Sequence, residues 1–258
     1  METRNVEGND DRGRGIKNRY LEELHSDFSL LSEIVLTQMV KAQELVHDNH
    51  NEDILGLIGR NEKIINTLDI TIKEKVINAI MLFTPRAVDL RRLMAYYDMT
   101  ISMERVGDLV ENITEVLVRM DFDLSGFGCY RKLIDKMFGH ANKMVKDAVF
   151  AFSGVNHEMA YSTIMMDDKV DRLERKIDNK LAMDFEGTLM EKQALVNMMM
   201  LNSLSYYLER IGDKAVDIAE SAVYLIEGID IRHENAQRLK DVDDDEIDEE
   251  EDDNNDNN

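Results

Sequence analysis

The chain has 258 residues, of which 33% are charged, with one proline, 13 glycines and no tryptophan. Its formal net charge is -22, which argues against nucleic-acid binding because neutralising phosphates needs lysine and arginine. The single Cys129 excludes an internal disulfide framework, and neither an apolar signal region nor an apolar run of roughly 18 residues occurs, so we predict a cytoplasmic protein.

Six long segments place apolar residues at the i, i+3, i+4, i+7 spacing of amphipathic helices. Short turn-like sequences such as "DNHNED" and "FTP" separate them, and short connections between long helices favour antiparallel packing. In chain order the segments cover residues 17–47, 51–83, 85–122, 129–154, 156–186 and 189–228. The sequence therefore predicts an all-α protein.

Two stretches of twelve residues are nearly the same: "ERVGDLVENITE" begins at Glu104, and "ERIGDKAVDIAE" begins at Glu209. The same shift of 105 residues pairs further positions: Glu62 with Asp167, Asn66 with Asp171, Asn112 with Asp217, and Glu115 with Glu220. A constant offset without gaps is hard to attribute to composition. We therefore interpret the chain as two tandem three-helix bundles related by internal duplication.

This interpretation sets the predicted domain boundaries. They are a disordered segment at 1–16, a first repeat at 17–126, a second repeat at 127–230 and an acidic disordered tail at 231–258. From Asp241 to Asn258 the tail holds twelve Asp or Glu and no Lys or Arg, and it has no apolar run to bury. Solubility is the simplest role for such a tail, and cation binding or docking are the alternatives.

Each repeated stretch, drawn as a helix, has an acidic face opposite an apolar face. At about 100° per residue, Asp108 lies about 40° from Glu104, and Asp213 lies at the same angle from Glu209. Like charges four residues apart cost a helix roughly 0.2–0.5 kcal/mol without a counter-charge. The arrangement nevertheless occurs twice in register.

A glycine lies inside each of these predicted helices, at Gly107 and Gly212. Each costs up to about 1 kcal/mol of helix propensity, but glycine lets another backbone or a ligand approach closely. Arg105 and Arg210 could balance part of the acidic charge, although neither lies on the acidic face.

Bound cations would compensate both costs, because carboxylate oxygens one helical turn apart suit hard or borderline metal ions. The predicted metal ligands are Glu104, Asp108, Glu209 and Asp213, with Glu62 and Asp167 added from the second helix of each bundle. Further ligands or supporting groups are Asn112, Asp217 and Asp171. The alternative is an ordinary amphipathic helix with a solvated acidic face.

Other kinds of site have less support in the sequence. The chain contains no phosphate-binding glycine loop, dinucleotide fingerprint, nucleophile elbow or H-E-x-x-H motif. An E-x-x-H pattern occurs once, at Glu22–His25, whereas carboxylate-bridged di-iron bundles need it on two helices. No catalytic residue is predicted.

The motifs resemble those of the PhoU family of phosphate-uptake regulators. "ERVGD" and "ERIGD" are similar to the family's E(D)-x-x-x-D signature, and "TPRAVDLR" (Thr84–Arg91) is similar to its Q-P-x-x-x-D-L-R. "MDDKVDRLE" (Met166–Glu174) and "LERIGDKAVDIAESAVYLIEG" (Leu208–Gly228) resemble two further family sequences. The resemblance covers roughly residues 20–228.

The resemblance also gives structural roles to the second motif. Pro85, Asp89 and Arg91 match its P-x-x-x-D-L-R part. Thr84 replaces the usual glutamine, and we expect it to cap the third helix, with Pro85 at the first helical position. Leu109 and Lys214 stand where the family often has histidine, which argues against histidine ligands.

The resemblance implies a cytoplasmic, six-helix, non-enzymatic regulator that represses the phosphate-starvation response. It implies homodimers, multinuclear metal clusters on the motif face, and two partners: the ATPase subunit of the phosphate ABC transporter and the phosphate-sensing histidine kinase. Fe, Mn, Zn and Mg all suit such carboxylate sites. Two alternatives stay open, a di-metal oxidase and a metal-storage protein.

Overall fold

The computed structural model describes residues 7–187 and 191–231, with side chains from residue 15 onward. In these ranges the chain forms six α-helices and no strand. They are α1 (Glu7–Glu44), α2 (Glu52–Phe83), α3 (Ala87–Arg119), α4 (Gly128–Ser153), α5 (His157–Asp184) and α6 (Lys192–Glu227). The prediction of an all-α protein built from two three-helix bundles is confirmed.

The two ends of the chain differ from the predicted boundaries. Helix α1 already begins at Glu7, so residues 7–16 are helical where the sequence predicts disorder, while residues 1–6 lie outside the described part. The apolar spacing of a helix cannot be recognised in residues 7–16, because Ile16 is their only large apolar residue. At the other end Ile231, assigned to the tail, is buried, and the rest of the predicted tail (232–258) lies outside the described residues.

Equivalent asparagines begin the second helix of each bundle. The side chain of Asn51 accepts a hydrogen bond from Ile54 N (3.2 Å), and that of Asn156 accepts one from Met159 N (3.1 Å). Each satisfies one of the free N–H groups of a helix N-terminus. Since Asn156 lies 105 residues after Asn51, the duplication extends to the capping of the helices.

The turn between α2 and α3 corrects one prediction. Thr84 does not cap α3: it is the C-cap of α2, with φ 44° and ψ 62°, and Arg86 is the N-cap of α3. Pro85 disfavours right-handed helical backbone at the residue before it, which accounts for the end of α2 at Phe83. This left-handed backbone conformation is strained for a β-branched residue such as Thr84. It occurs here in the tight turn between α2 and α3.

The two bundles share one core. Helix α3 packs along α6, and α1 packs against α4. Three buried rings join the bundles: Phe28 of α1, Tyr96 of α3 and Phe152 of α4, with centroids 5.1–5.4 Å apart. The linker between the bundles is fixed by Asn197, whose Nδ2 donates to the backbone oxygen of Asp121 at 2.6 Å. The third helices therefore lie side by side at the centre of the molecule.

The motif that opens α3 is structural in this fold. Asp89 forms an ion pair with Lys17 of α1. The guanidinium of Arg91 lies against Gly228, the left-handed C-cap of α6 (φ 74°), so closely that it leaves no room for a Cβ at residue 228. A cation at a helix C-terminus is favourable. Because the start of α3 meets the end of α6, these two helices are antiparallel.

Candidate functional site

The first acidic cluster lies between α2 and α3 and comprises Glu62, Asp69, Glu104 and Asp108. Burial and the charges of Asp108 and Glu111 raise the pKa of Glu62 to about 7. Burial, Asp108 and Asp69 likewise raise the pKa of Glu104. The structure therefore brings the predicted residue of the second helix to the predicted pair on the third.

The second acidic cluster lies between α5 and α6. It comprises Asp167, Asp171, Glu174, Glu209 and Asp213. Burial, followed by the charges of Asp171, Asp213 and Glu209, raises the pKa of Asp167 to about 7. Burial, Asp213 and Glu174 raise the pKa of Glu209 to about 7 as well. The two clusters occupy equivalent places in the two repeats.

Three carboxylate oxygens in these clusters are buried without a hydrogen-bond partner among the described residues. One of them, Oδ1 of Asp69, has the charge of Lys73 at 2.6 Å, whereas the other two have no ion-pair partner there. Glu62 is only 6% exposed, and neither its Oε2 nor Oδ1 of Asp167 has a hydrogen-bond partner among the described residues. A buried acceptor without a partner is costly, and an ionised one more so. A proton or a cation at these oxygens would remove that cost.

The two motif glycines make this arrangement possible. A Cβ at Gly107 would lie 3.4 Å from Oε2 of Glu62, and one at Gly212 would lie 3.0 Å from Oδ1 of Asp167. Ile65 and Val170, at equivalent positions, pack on the same two glycines. Each glycine thus lets the carboxylate of the neighbouring helix rest on the backbone of the motif helix.

A pair of glycine variants tests this packing. Gly139→Ala in α4, where an added Cβ meets nothing within 4 Å, should raise the free energy of unfolding by about 0.5–1 kcal/mol. Gly212→Ala should lack that gain, because its Cβ presses on Asp167, and should be about 1–2 kcal/mol less stable than Gly139→Ala. Urea denaturation measures both, and equal stabilisation would contradict the close approach.

The clusters differ in their neighbouring cations. In the second, Arg210 Nη1 lies 2.9 Å from Asp213 Oδ2, and Lys214 Nζ lies 2.5 Å from Asp217 Oδ2. The arginine predicted to lie off the acidic face therefore reaches it through its long side chain. In the first cluster, Lys73 pairs with Asp69 at 2.6 Å. The second cluster holds more acids and also more competing cations.

Asp69 and Glu174 are site residues that the sequence analysis missed. They lie 105 residues apart, seven positions after Glu62 and Asp167, and therefore on the same helix faces. The duplication offset could have found them. Of the other predicted positions, Asp171 joins the second cluster, Asp217 pairs with Lys214, and Asn112 is exposed beside the first cluster.

The acidic clusters are not preformed coordination sites. In the described part of the chain, no three His, Cys, Asp or Glu side chains are arranged to hold a metal ion as they stand. The conformations of the side chains would have to change for several of them to reach one ion. The oxygen-only donor set suits hard and borderline cations.

Comparison with known proteins agrees with this geometry. A model of the PhoU domain matches the chain twice, over residues 28–117 and 134–222, and each match includes one acidic cluster. The chain belongs to the PhoU family. One match lies within each of the two repeats of this chain, so the family assignment agrees with the internal duplication.

Curated PhoU relatives match most of this chain. It is 29% identical over 213 residues to the phosphate-specific transport system accessory protein PhoU homolog of Clostridium acetobutylicum, covering 81% of this chain and 93% of the relative. It is 31% identical over 236 residues to the homolog from a Burkholderia species, covering 84% and 95%.

Solved PhoU structures share the fold. Crystal structures of PhoU from Pseudomonas aeruginosa and Streptococcus pneumoniae superpose with TM-scores of 0.73 and 0.72 at 24% and 20% identity. They cover 82% and 83% of this chain, and 99% and 98% of their own. Among the described residues, no helix is both long and apolar enough to cross a membrane.

Proposed function

We propose that this protein is a metal-binding accessory regulator of phosphate transport that holds cations at its two acidic clusters. The observation that carries the metal proposal is the pair of buried, unpartnered oxygens of Glu62 and Asp167 at equivalent positions. The same costly feature is kept in both copies of the duplication although Glu62 and Asp167 differ in side-chain length, and a ligand explains this better than chance in packing. Its relatives are accessory proteins of the phosphate-specific transport system.

The cations would be held by carboxylates of two facing helices. In the first cluster the ligands are Glu62, Glu104 and Asp108, with Asp69 beside them. In the second they are Asp167, Glu209 and Asp213, with Asp171 and Glu174. A bound Fe, Mn, Zn or Mg ion supplies concentrated positive charge, which makes ionised carboxylates tolerable at this depth. The residues themselves orient the oxygens and limit access of water.

The role proposed is regulation rather than catalysis. The acidic clusters contain neither a histidine nor a nucleophile paired with a base, so they lack the groups of a di-metal oxidase or a hydrolase. The cation-loaded surface would dock on the ATPase subunit of the phosphate transporter and on the phosphate-sensing kinase. A partner whose state depends on phosphate would select the docked arrangement and repress uptake. We also propose that the protein is cytoplasmic and works as a homodimer.

Paired isosteric variants test the proposal. Asp108→Asn with Asp213→Asn removes one ligand from each cluster and should weaken metal binding by at least about 10- to 100-fold, the range already caused by losing a group that only supports a ligand. In a strain without the wild-type copy, phosphate uptake should then escape repression at high phosphate. Elemental analysis of the purified protein and a phosphate-uptake assay are the two measurements.

The matched control is Glu23→Gln with Glu33→Gln, two exposed acids on α1, which should keep both properties. Wild-type metal content and repression in the Asp108 and Asp213 variant would contradict the proposal. Loss of metal with normal repression would mean that repression does not depend on the bound cations, and this outcome too would contradict the proposal.

A further inference from the structure

Helix α5 has a basic face that the proposed function does not use. It consists of Arg172, Arg175, Lys176 and Lys180, with Asn179 and Met183, and borders a surface cavity of about 640 Å³. On a helical wheel its centre lies about 140° from the acidic stripe of Asp167. It points away from the core side chains Val170 and Ile177, and Met183 is 76% exposed.

Among the described residues, the cations of this face have few salt-bridge partners, although the charge of Arg175 also acts on Glu174. Lys180 pairs with Asp184 at 2.8 Å, but Arg172, Arg175 and Lys176 form no salt bridge with another described residue. Several lysines elsewhere are already paired within the fold: Lys17, Lys41, Lys73, Lys75, Lys143 and Lys214. A concentration of free positive charge is unexpected in a chain whose net charge is -22, and it favours an anionic occupant.

The chain itself contains a complementary segment. Asp241–Asn258 holds twelve Asp or Glu and no Lys or Arg, so this segment contributes more than half of the net charge. It lies outside the described residues and follows the last of them, Ile231, in the chain. Charge complementarity between this segment and the basic face of α5 is therefore high.

Chain geometry allows the two to meet. The end of α6 lies beside the start of α5, since Glu227 Oε1 is 2.7 Å from His157 Nε2. From His157, the basic residues lie about 22–35 Å along α5 at 1.5 Å per residue. The ten residues from Ile231 to Asp241 can span up to about 33–36 Å. The acidic stretch therefore begins within reach of the whole basic face.

We propose that the acidic stretch Asp241–Asn258 docks on the basic face of α5 in the same chain. The connection makes the encounter intramolecular, with a high effective concentration that compensates for the weakness of single exposed ion pairs. The contact is electrostatic and depends on salt. It does not depend on cations in the acidic clusters, which lie on another side of α5.

Paramagnetic relaxation in the full-length chain tests this contact. Cys129, which is free and exposed, is changed to Ser, and a spin label is attached through Asn255→Cys. At about 0.05 M salt, amide signals of residues 172–183 should lose intensity about threefold or more relative to those of residues 60–82 in α2, and they should recover at about 1 M salt. Equal intensity losses on both helices would overturn the proposal.

Charge reversal on α5 provides the specific control. Arg172→Glu, Arg175→Glu and Lys176→Glu together should abolish the intensity loss. Three exposed lysines, changed to Glu at Lys63, Lys132 and Lys136, alter the net charge equally and should leave it in place. Persistence of the loss in the α5 variant, or its disappearance in the control, would contradict docking at this face.

Two further samples keep the test decisive. Replacing the acids of residues 241–253 by Asn and Gln leaves every described residue unchanged and should also abolish the loss, even where the α5 variant folds poorly. When spin-labelled chains are mixed with isotope-labelled chains that lack a spin label, the amide signals of residues 172–183 should lose no intensity. A loss in the mixture would mean that the tail docks on a second copy, which would overturn the intramolecular proposal.

Discussion

Metal-free protein should become less stable as the pH rises from 5 to 7.5. The pKa values of Glu62 and Asp167 are raised from 4.5 and 3.8 to about 7 in the folded chain. A carboxyl group with a raised pKa binds its proton more tightly when folded, so its contribution to stability is greatest below its unfolded pKa. That contribution is lost as the pH rises through the folded value. The net charge of -22 acts in the same direction.

The expected loss between pH 5 and pH 7.5 is about 2–4 kcal/mol. One pKa unit corresponds to about 1.4 kcal/mol, and partial solvation of the two groups reduces the full effect. Urea denaturation in the presence of a chelator measures it. The variant Glu62→Gln with Asp167→Asn should have a flatter profile, because its two buried amides do not titrate. A wild-type stability that rises with pH over this range would contradict the buried, uncompensated carboxylates.

Adding metal should reverse which of the two proteins, the same double variant or wild type, is the more stable. In chelator at pH 7.5, Glu62→Gln with Asp167→Asn should be about 1–3 kcal/mol more stable than wild type, because two buried charges without partners are removed. With Mn²⁺ at about 100 times its dissociation constant, wild type should gain about 2.7 kcal/mol for each occupied acidic cluster, and the variant should gain little. Thermal unfolding with and without Mn²⁺ makes the comparison.

The control is again Glu23→Gln with Glu33→Gln, which should follow wild type in both conditions. A double variant less stable than wild type in chelator would mean that the two carboxylates are stabilised as ions by the protein alone. Full stabilisation of the variant by Mn²⁺ would place the cation elsewhere.

The acidic clusters also show how depth in the structure differs from position in the sequence. Glu104 and Asp108 were predicted as an equivalent pair, yet Glu104 is half-buried and Asp108 is exposed. The most deeply buried acid of the first cluster is Glu62, on the neighbouring helix. The angle of a residue on one helical wheel does not predict this difference in burial, because burial depends on the second helix that covers the first.

Side-chain reach limited the sequence analysis in a similar way. Arg210 lies off the acidic face by its angle, but its long side chain reaches Asp213. The motif predicts Thr84 at the start of α3, but the clash of the Pro85 ring with the residue before it favours the end of α2 there. Asp69 and Glu174 follow the same 105-residue offset, but only the packing of α2 on α3 and of α5 on α6 brings them close to Glu104 and Glu209.

The sequence alone determined the six helices, the duplication and the helix on which each main acidic residue lies. These features depend on local hydrogen bonding, apolar spacing and a constant offset, all of which can be read along one chain. Only the tertiary structure decided which acids meet across helices and which oxygens lose both water and hydrogen-bond partners. Those properties depend on how closely two helices approach, and here Gly107 and Gly212 set that distance.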